Sequence, residues 1–132
     1  MKKELSVEAI RDYFERTFGY FPKHWKLLSE NRPEAMTLYY DLREIVMRDG
    51  ALSRQTKELM AMTICATQRH AWGTEHHGRS SVRAGASLEQ IFEACLVVWL
   101  AAGAPSFIEG LKGYEAAVEE TKRLGARGIH AT

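Results

Sequence analysis

Residues 58–77 read ELMAMTICATQRHAWGTEHH, and the fold of the chain turns on this stretch. From Leu59 to Ala66 it is dominated by Ala, Met, Leu and Ile, which predicts a helix buried over much of its circumference. Ser53 is its N-cap, which places Glu58 in the second turn. A second helical run begins at about Thr74 and ends at Gly85. Residues three, four and seven apart share a helix face, so His70, Thr74, His77 and Ser81 line up if helix geometry reaches back to His70. A carboxylate set before an apolar run is costly to bury alone, and a histidine on the facing helix would give Glu58 a partner.

The flanking sequence is helical as well. Ser6 caps a helix carrying Val7, Ile10, Tyr13, Phe14 and Phe18, which Gly19 stops. Phe21 to Asn31 reads as an aromatic turn leading into a short helix. Pro33 suits the first turn of a helix through Met47, with Met36, Tyr39, Tyr40, Ile45 and Val46 as expected buried positions, closed by Asp49-Gly50. Ser87 and Gln90 form a capping-box signature for LEQIFEACLVVWLAA, whose centre should be deeply buried. After Pro105 a last helix carries Phe107, Ile108, Leu111, Tyr114 and Val118, and the tail from Gly125 is expected to fray. No run alternates at period two, and there is no internal repeat, so the expected fold is all-α, with about six helices.

The 132 residues, 45% of them hydrophobic, suit a single domain with a real core, spanning 1–132. Eighteen basic and seventeen acidic residues leave a net charge of +1, which offers no electrostatic footprint for nucleic acid or a membrane surface. The N-terminus lacks the apolar core of a signal peptide, and ACLVVWLAAGAP is too short to span a bilayer, so a cytoplasmic protein is expected. Cys65 and Cys95, with no Cys-x-x-Cys pair, read as reduced core residues.

Glu58 in TKELMA, His77 nineteen residues later and Ala-Gly-Ala at 84–86 together resemble the carboxymuconolactone decarboxylase and alkylhydroperoxidase D superfamily. The likeness covers roughly residues 50–120, extended by GYFPKHWKLL at 19–28. It implies an AhpD-like orthogonal helical bundle assembling into trimers or hexamers, with the motif region near subunit contacts. An exposed aromatic surface around Trp25, Trp72 and Trp99 would fit such assembly. In the alkylhydroperoxidase branch a Cys-x-x-Cys-x-x-x-His motif follows the glutamate. Aligned on His77, its cysteines fall at His70 and Gly73, so both are absent here.

What remains is imidazole and carboxylate. The resulting expectation is acid–base decarboxylation or proton transfer on a small lactone or carboxylate. Glu58, His77 and His70 would be the catalytic set, and Trp72, Thr74 and His24 would contact substrate. No cofactor is required, although Glu58, His70 and His77 could together hold a metal ion. Three alternatives stand beside this: peroxide reduction, a metal-dependent enzyme, and a non-catalytic metabolite-binding oligomer. Glu75 and Arg79, four apart, read as a solvent-facing ion pair, with His76 on the same solvated surface and His130 in the tail.

Overall fold

The computed structural model describes residues 5–126, and the chain divides into two compact units, Met1–Arg48 and Asp49–Thr132. Among the described residues there are seven helices and no strand, one helix more than the round figure expected. None is long and apolar enough to cross a membrane.

The first unit holds α1 (Val7–Phe18), α2 (Lys23–Asn31) and α3 (Pro33–Met47). The Ala9 N–H donates to Ser6 Oγ at 3.1 Å, and Gly19, at φ 86°, ends α1 in the left-handed region that glycine tolerates. Ile10, Phe14, Trp25, Met36 and Tyr40 form the core of this unit. Trp25 is therefore a core residue with its ring centroid 5.0 Å from that of Phe14, not part of an exposed aromatic surface. On α3 only Met36 and Tyr40, one turn apart, are buried. Tyr39, Ile45 and Val46, expected inside, are exposed because the unit covers a single stripe of that helix.

The second unit contains α4 (Arg54–Thr67), α5 (Ala71–Arg83), α6 (Leu88–Ala102) and α7 (Ala104–Ala126). Helices α4 and α5 run antiparallel: Glu58 meets His77, Cys65 lies against Gly73, and Arg54 shares a cavity with Ala84. Numbers rise along one helix as they fall along the other. Met62, Val82, Ala86, Ile91, Cys95, Ala117 and Leu124 make the core.

Two burial expectations fail here, for one reason. Only Glu58, Met62 and Ala66 are buried on α4, and only Ile91, Cys95 and Val98 on α6, so each helix hides one stripe. On α7 the fully buried stripe is Ser106, Gly110, Gly113, Ala116, Ala117, Glu120 and Leu124, while Phe107, Leu111 and Tyr114 pack partly buried against the core and Ile108 is exposed. Small residues win because α7 approaches α5 at backbone distance. A Cβ on Gly78 would collide with the carbonyl oxygen of Gly113, and one on Gly113 would lie 2.8 Å from Met62 Sδ. The capping box Ser87/Gln90 is present, with both reciprocal bonds made.

At the far end of α7, Glu120 is buried but clamped. Its Oε1 accepts from Arg123 Nε at 2.6 Å, while Oε2 accepts from Arg123 Nη2 at 2.8 Å and from Arg83 Nη1 at 3.2 Å. Burial opposes its ionisation, but the guanidiniums of Arg123 and Arg83 outweigh that and hold the carboxyl below its ordinary 4.5. A carboxyl depressed in the folded state stabilises the fold above its unfolded value and loses that contribution as pH falls through the folded one. Thermal stability should therefore hold above 4.5 and decline below it, with a shallower acid limb in Glu120→Gln. Identical acid limbs in the two proteins by circular dichroism would contradict this.

Candidate functional site

The turn between α4 and α5 sets up the site. Arg69 adopts φ 55°, and the His70 N–H donates to Cys65 O at 2.9 Å, which reverses the chain within Gln68–His70. The Gly73 N–H then donates to His70 Nδ1 at 3.0 Å, so His70 is the N-cap of α5 and the helix begins at Ala71, before Thr74. A side chain at 73 would strike His70 Nδ1 and come within 2.7 Å of Cys65 Sγ.

Two turns into α5, His77 Nδ1 lies 2.8 Å from Glu58 Oε2 on α4. The Glu58 side chain is 1% exposed and that of His77 23%, so the carboxylate is sealed behind an imidazole that reaches the surface. A carboxylate bound to Nδ1 fixes the proton there and leaves Nε2 as the working nitrogen. Nε2 has no hydrogen-bond partner among the described residues. The one buried polar side-chain atom without a partner among the described residues is Ser80 Oγ, so Nε2 is open to solvent. Arg54 Nε stands 3.6 Å from the other Glu58 oxygen.

The remaining predicted residues separate from this pair. His70 is exposed and its Nδ1 is spent on capping. Thr74 is fully buried, its hydroxyl donating to His70 O at 2.8 Å. Trp72 stacks on His76 with centroids 4.8 Å apart and planes 8° from parallel. His76 is thereby buried rather than solvated. Arg79 pairs with Glu119 of α7 at 3.6 Å, not with Glu75. His24 belongs to the first unit, where it lines a shallow apolar depression with Leu27, Leu28, Asn31 and Tyr39. Among the described residues no group of three His, Cys, Asp or Glu side chains is placed to hold a metal ion, so Glu58, His70 and His77 do not converge as a ligand set.

Both thiols are free. Burial pushes Cys65 up and Cys95 up to about 11, and Cys95 Sγ donates to Gly110 O at 3.4 Å. Sequence reasoning missed the Arg83–Glu120–Arg123 clamp, the Trp72–His76 stack and the Gly78–Gly113 contact. Only the last had a readable signal, the small-residue spacing of Ser106, Gly110, Gly113 and Ala117 on α7.

A structure from Burkholderia xenovorans described as a carboxymuconolactone decarboxylase superposes with a TM-score of 0.78 at 24% identity, covering 92% of this chain and 95% of that one. An apo protein of the carboxymuconolactone decarboxylase family from Legionella pneumophila gives 0.71 at 25% identity, covering 83% and 98%. A family member from Thermotoga maritima, whose description links it to an antioxidative response, gives 0.66 at 24% identity, covering 96% and 97%. An uncharacterized protein of the cox locus of Paracoccus denitrificans is 39% identical over 61 residues, a match spanning 46% of this chain and 52%, about half, of that relative. Residues 33–116 match the carboxymuconolactone decarboxylase family, a stretch that contains Glu58, His77 and the whole α4–α5 pair, and the chain belongs to that family.

Proposed function

We propose that this protein is a carboxymuconolactone decarboxylase-like enzyme that moves a proton on a small lactone or carboxylate, with His77 as the acid–base group. The observation that carries the reading is the 2.8 Å contact between His77 Nδ1 and a sealed Glu58. When carbon dioxide leaves a carboxylate next to an unsaturated lactone, the bonding electrons pass into a dienolate. Protonated His77 then delivers its Nε2 proton to carbon, and Glu58 stabilises the imidazolium and fixes the ring. His70, held as a cap, takes no part in this step. The raised thiols favour this chemistry over a peroxide-reducing disulfide relay, which needs a low-lying thiolate. The step calls for no cofactor, so activity should survive exhaustive chelation.

The test is turnover of lactone and carboxylate panels by wild type and His77→Ala. Turnover by wild type that vanishes in the variant supports the reading. Ligand binding without any turnover transfers the site to a metabolite-binding module.

The same reading makes the working unit a homo-oligomer of the trimer or hexamer class, with copies joined through α6. Residues 94–102 of that helix, ACLVVWLAA, carry no charge, yet Leu96, Val97, Trp99 and Leu100 are exposed, Leu100 at 92%. Monomers rarely leave so contiguous an apolar face in water. Leu100→Glu should reduce the assembly to smaller species by light scattering, whereas a wild type that is already monomeric at micromolar concentration would remove α6 as the interface.

A further inference from the structure

We propose that Arg54 is a positioning residue for the His77 step: its guanidinium balances the charge of Glu58 at the moment His77 gives up its proton. This rests on the acid–base reading of His77 above and extends it by one residue. The two oxygens of Glu58 face different partners, Oε2 lying 2.8 Å from His77 Nδ1 and Oε1 3.6 Å from Arg54 Nε. The carboxylate between them is 1% exposed, whereas the Arg54 and His77 side chains, at 31% and 23%, both reach the surface. Arg54, Glu58 and His77 thus form one line of charge from α4 to α5, with its buried member in the middle.

Local electrostatics argue against an arginine at this position. Arg54 is the first residue of α4, whose first turn carries no acid, and a cation at a helix N-terminus opposes the helix dipole. An Arg four residues before a Glu is also the weaker order for an ion pair along a helix. The turn is anchored without the guanidinium: the Thr56 N–H donates to Ser53 Oγ at 3.1 Å and the Arg54 N–H to Asp49 Oδ1 at 2.7 Å. Capping and helix propensity therefore do not account for this side chain, and the buried carboxylate one turn on does.

The chemistry gives the cation a task. While His77 is protonated, Glu58 has a positive group at each oxygen. As the Nε2–H bond breaks, its electron pair stays on nitrogen, and the proton bonds to carbon through the dienolate electrons left by the departing carbon dioxide. His77 is then neutral, with its Nδ1 proton still on Glu58. A sealed carboxylate facing a neutral ring and no cation is unfavourable, which would raise the barrier to proton release. A guanidinium keeps its charge throughout, so with Arg54 in place the carboxylate is balanced before and after the step. Solvent returns the proton to Nε2 for the next turnover. At 3.6 Å the pair is longer than a direct hydrogen bond, so what Arg54 supplies is charge rather than a fixed contact.

The experiment compares wild type with Arg54→Gln, Arg54→Lys and Arg54→Ala at a temperature where all are folded. On a substrate that wild type accepts, Arg54→Gln should lower kcat about tenfold with KM within about twofold, because the lost charge acts on the step and not on binding. Arg54→Lys keeps the charge and should recover most of the loss. Guanidinium ion at millimolar, non-denaturing concentration should restore Arg54→Ala saturably and leave wild type unmoved, since Arg54 lines an open cavity of about 380 Å³ that admits it. Arg79→Gln, which breaks an ion pair of the same 3.6 Å length on α5, is the control and should leave kcat unchanged. A second arm needs no substrate. In ring-nitrogen NMR spectra at one fixed pH, Arg54→Gln should move the His77 signals toward the imidazolium form, and guanidinium should reverse that movement in Arg54→Ala. A wild type without turnover on any panel sinks the acid–base reading, and the ring signals then still decide whether Arg54 governs the charge of His77. Unchanged kcat in Arg54→Gln, a change confined to KM, or a loss that neither lysine nor guanidinium restores would overturn the role, as would ring signals identical to those of wild type. If Arg54→Ala does not fold, Arg54→Lys against Arg54→Gln carries the comparison of charge.

Discussion

Gly78→Ala should melt far below wild type. The new methyl group would point at the backbone of Gly113, meeting its carbonyl oxygen and lying 2.9 Å from both its carbonyl carbon and its Cα. A flexible side chain could swing aside, but these are main-chain atoms of α7, so relief requires the two helices to part. Overpacking a tight core costs about 1–3 kcal/mol and more where the backbone must move, so about 3 kcal/mol or more is expected. For a protein of this size that corresponds to a thermal midpoint lower by about 10 °C or more. Gly125→Ala, on α7 with nothing within 4 Å of its new Cβ, is the control. It should be neutral or stabilising by about 0.5–1 kcal/mol through helix propensity alone. Equal melting curves for Gly78→Ala and wild type would show that the α5–α7 contact is looser than the geometry requires.

The second large effect concerns turnover. His77→Ala should lower the rate on any accepted substrate by about 10²–10⁴-fold, the range that a positioned acid–base group contributes. Glu58→Gln keeps the shape of the side chain but removes the charge that stabilises the imidazolium, and should cost less, about 10–100-fold. Because the two residues act as one device, the double variant should be hardly worse than His77→Ala. His77→Ala also leaves Glu58 buried with only Arg54 at 3.6 Å, so some stability should be lost, and rates need comparing at a temperature where both proteins are folded. Undiminished turnover in His77→Ala would remove the mechanism outright.

The helices were legible because their signals are local: Ser6, Ser53, Ser87 and Gln90 cap as expected, and Gly19 stops α1. The Glu58–His77 pair was legible too, through the cost of burying an unpartnered carboxylate and the spacing that resembles the family. Which face each helix buries was not. Hydrophobic content on α6 suggested a deep interior, but a helix packed on one side hides only Ile91, Cys95 and Val98, and a surface reserved for another molecule has the same composition as a core. On α7 glycine and alanine, weak in hydropathy, form the closest contact because they let backbones meet. The role of His70 depended on three-dimensional detail: a histidine can accept from a backbone N–H only if the turn before it places the ring there, and the left-handed Arg69 has no marker in the sequence.

The crowded space at Gly73 also constrains what descendants of this chain can become. Introducing a thiol pair at positions 70 and 73 looks like two substitutions, but they are not interchangeable in order. A side chain at 73 added first collides with the His70 ring and presses on Cys65 Sγ, so that intermediate should fold poorly. Replacing His70 first clears the ring but discards the cap that starts α5, and Cys65 must still retreat. Every shortest route to a thiol pair at these positions therefore passes through a destabilised intermediate, which insulates this scaffold from acquiring the motif.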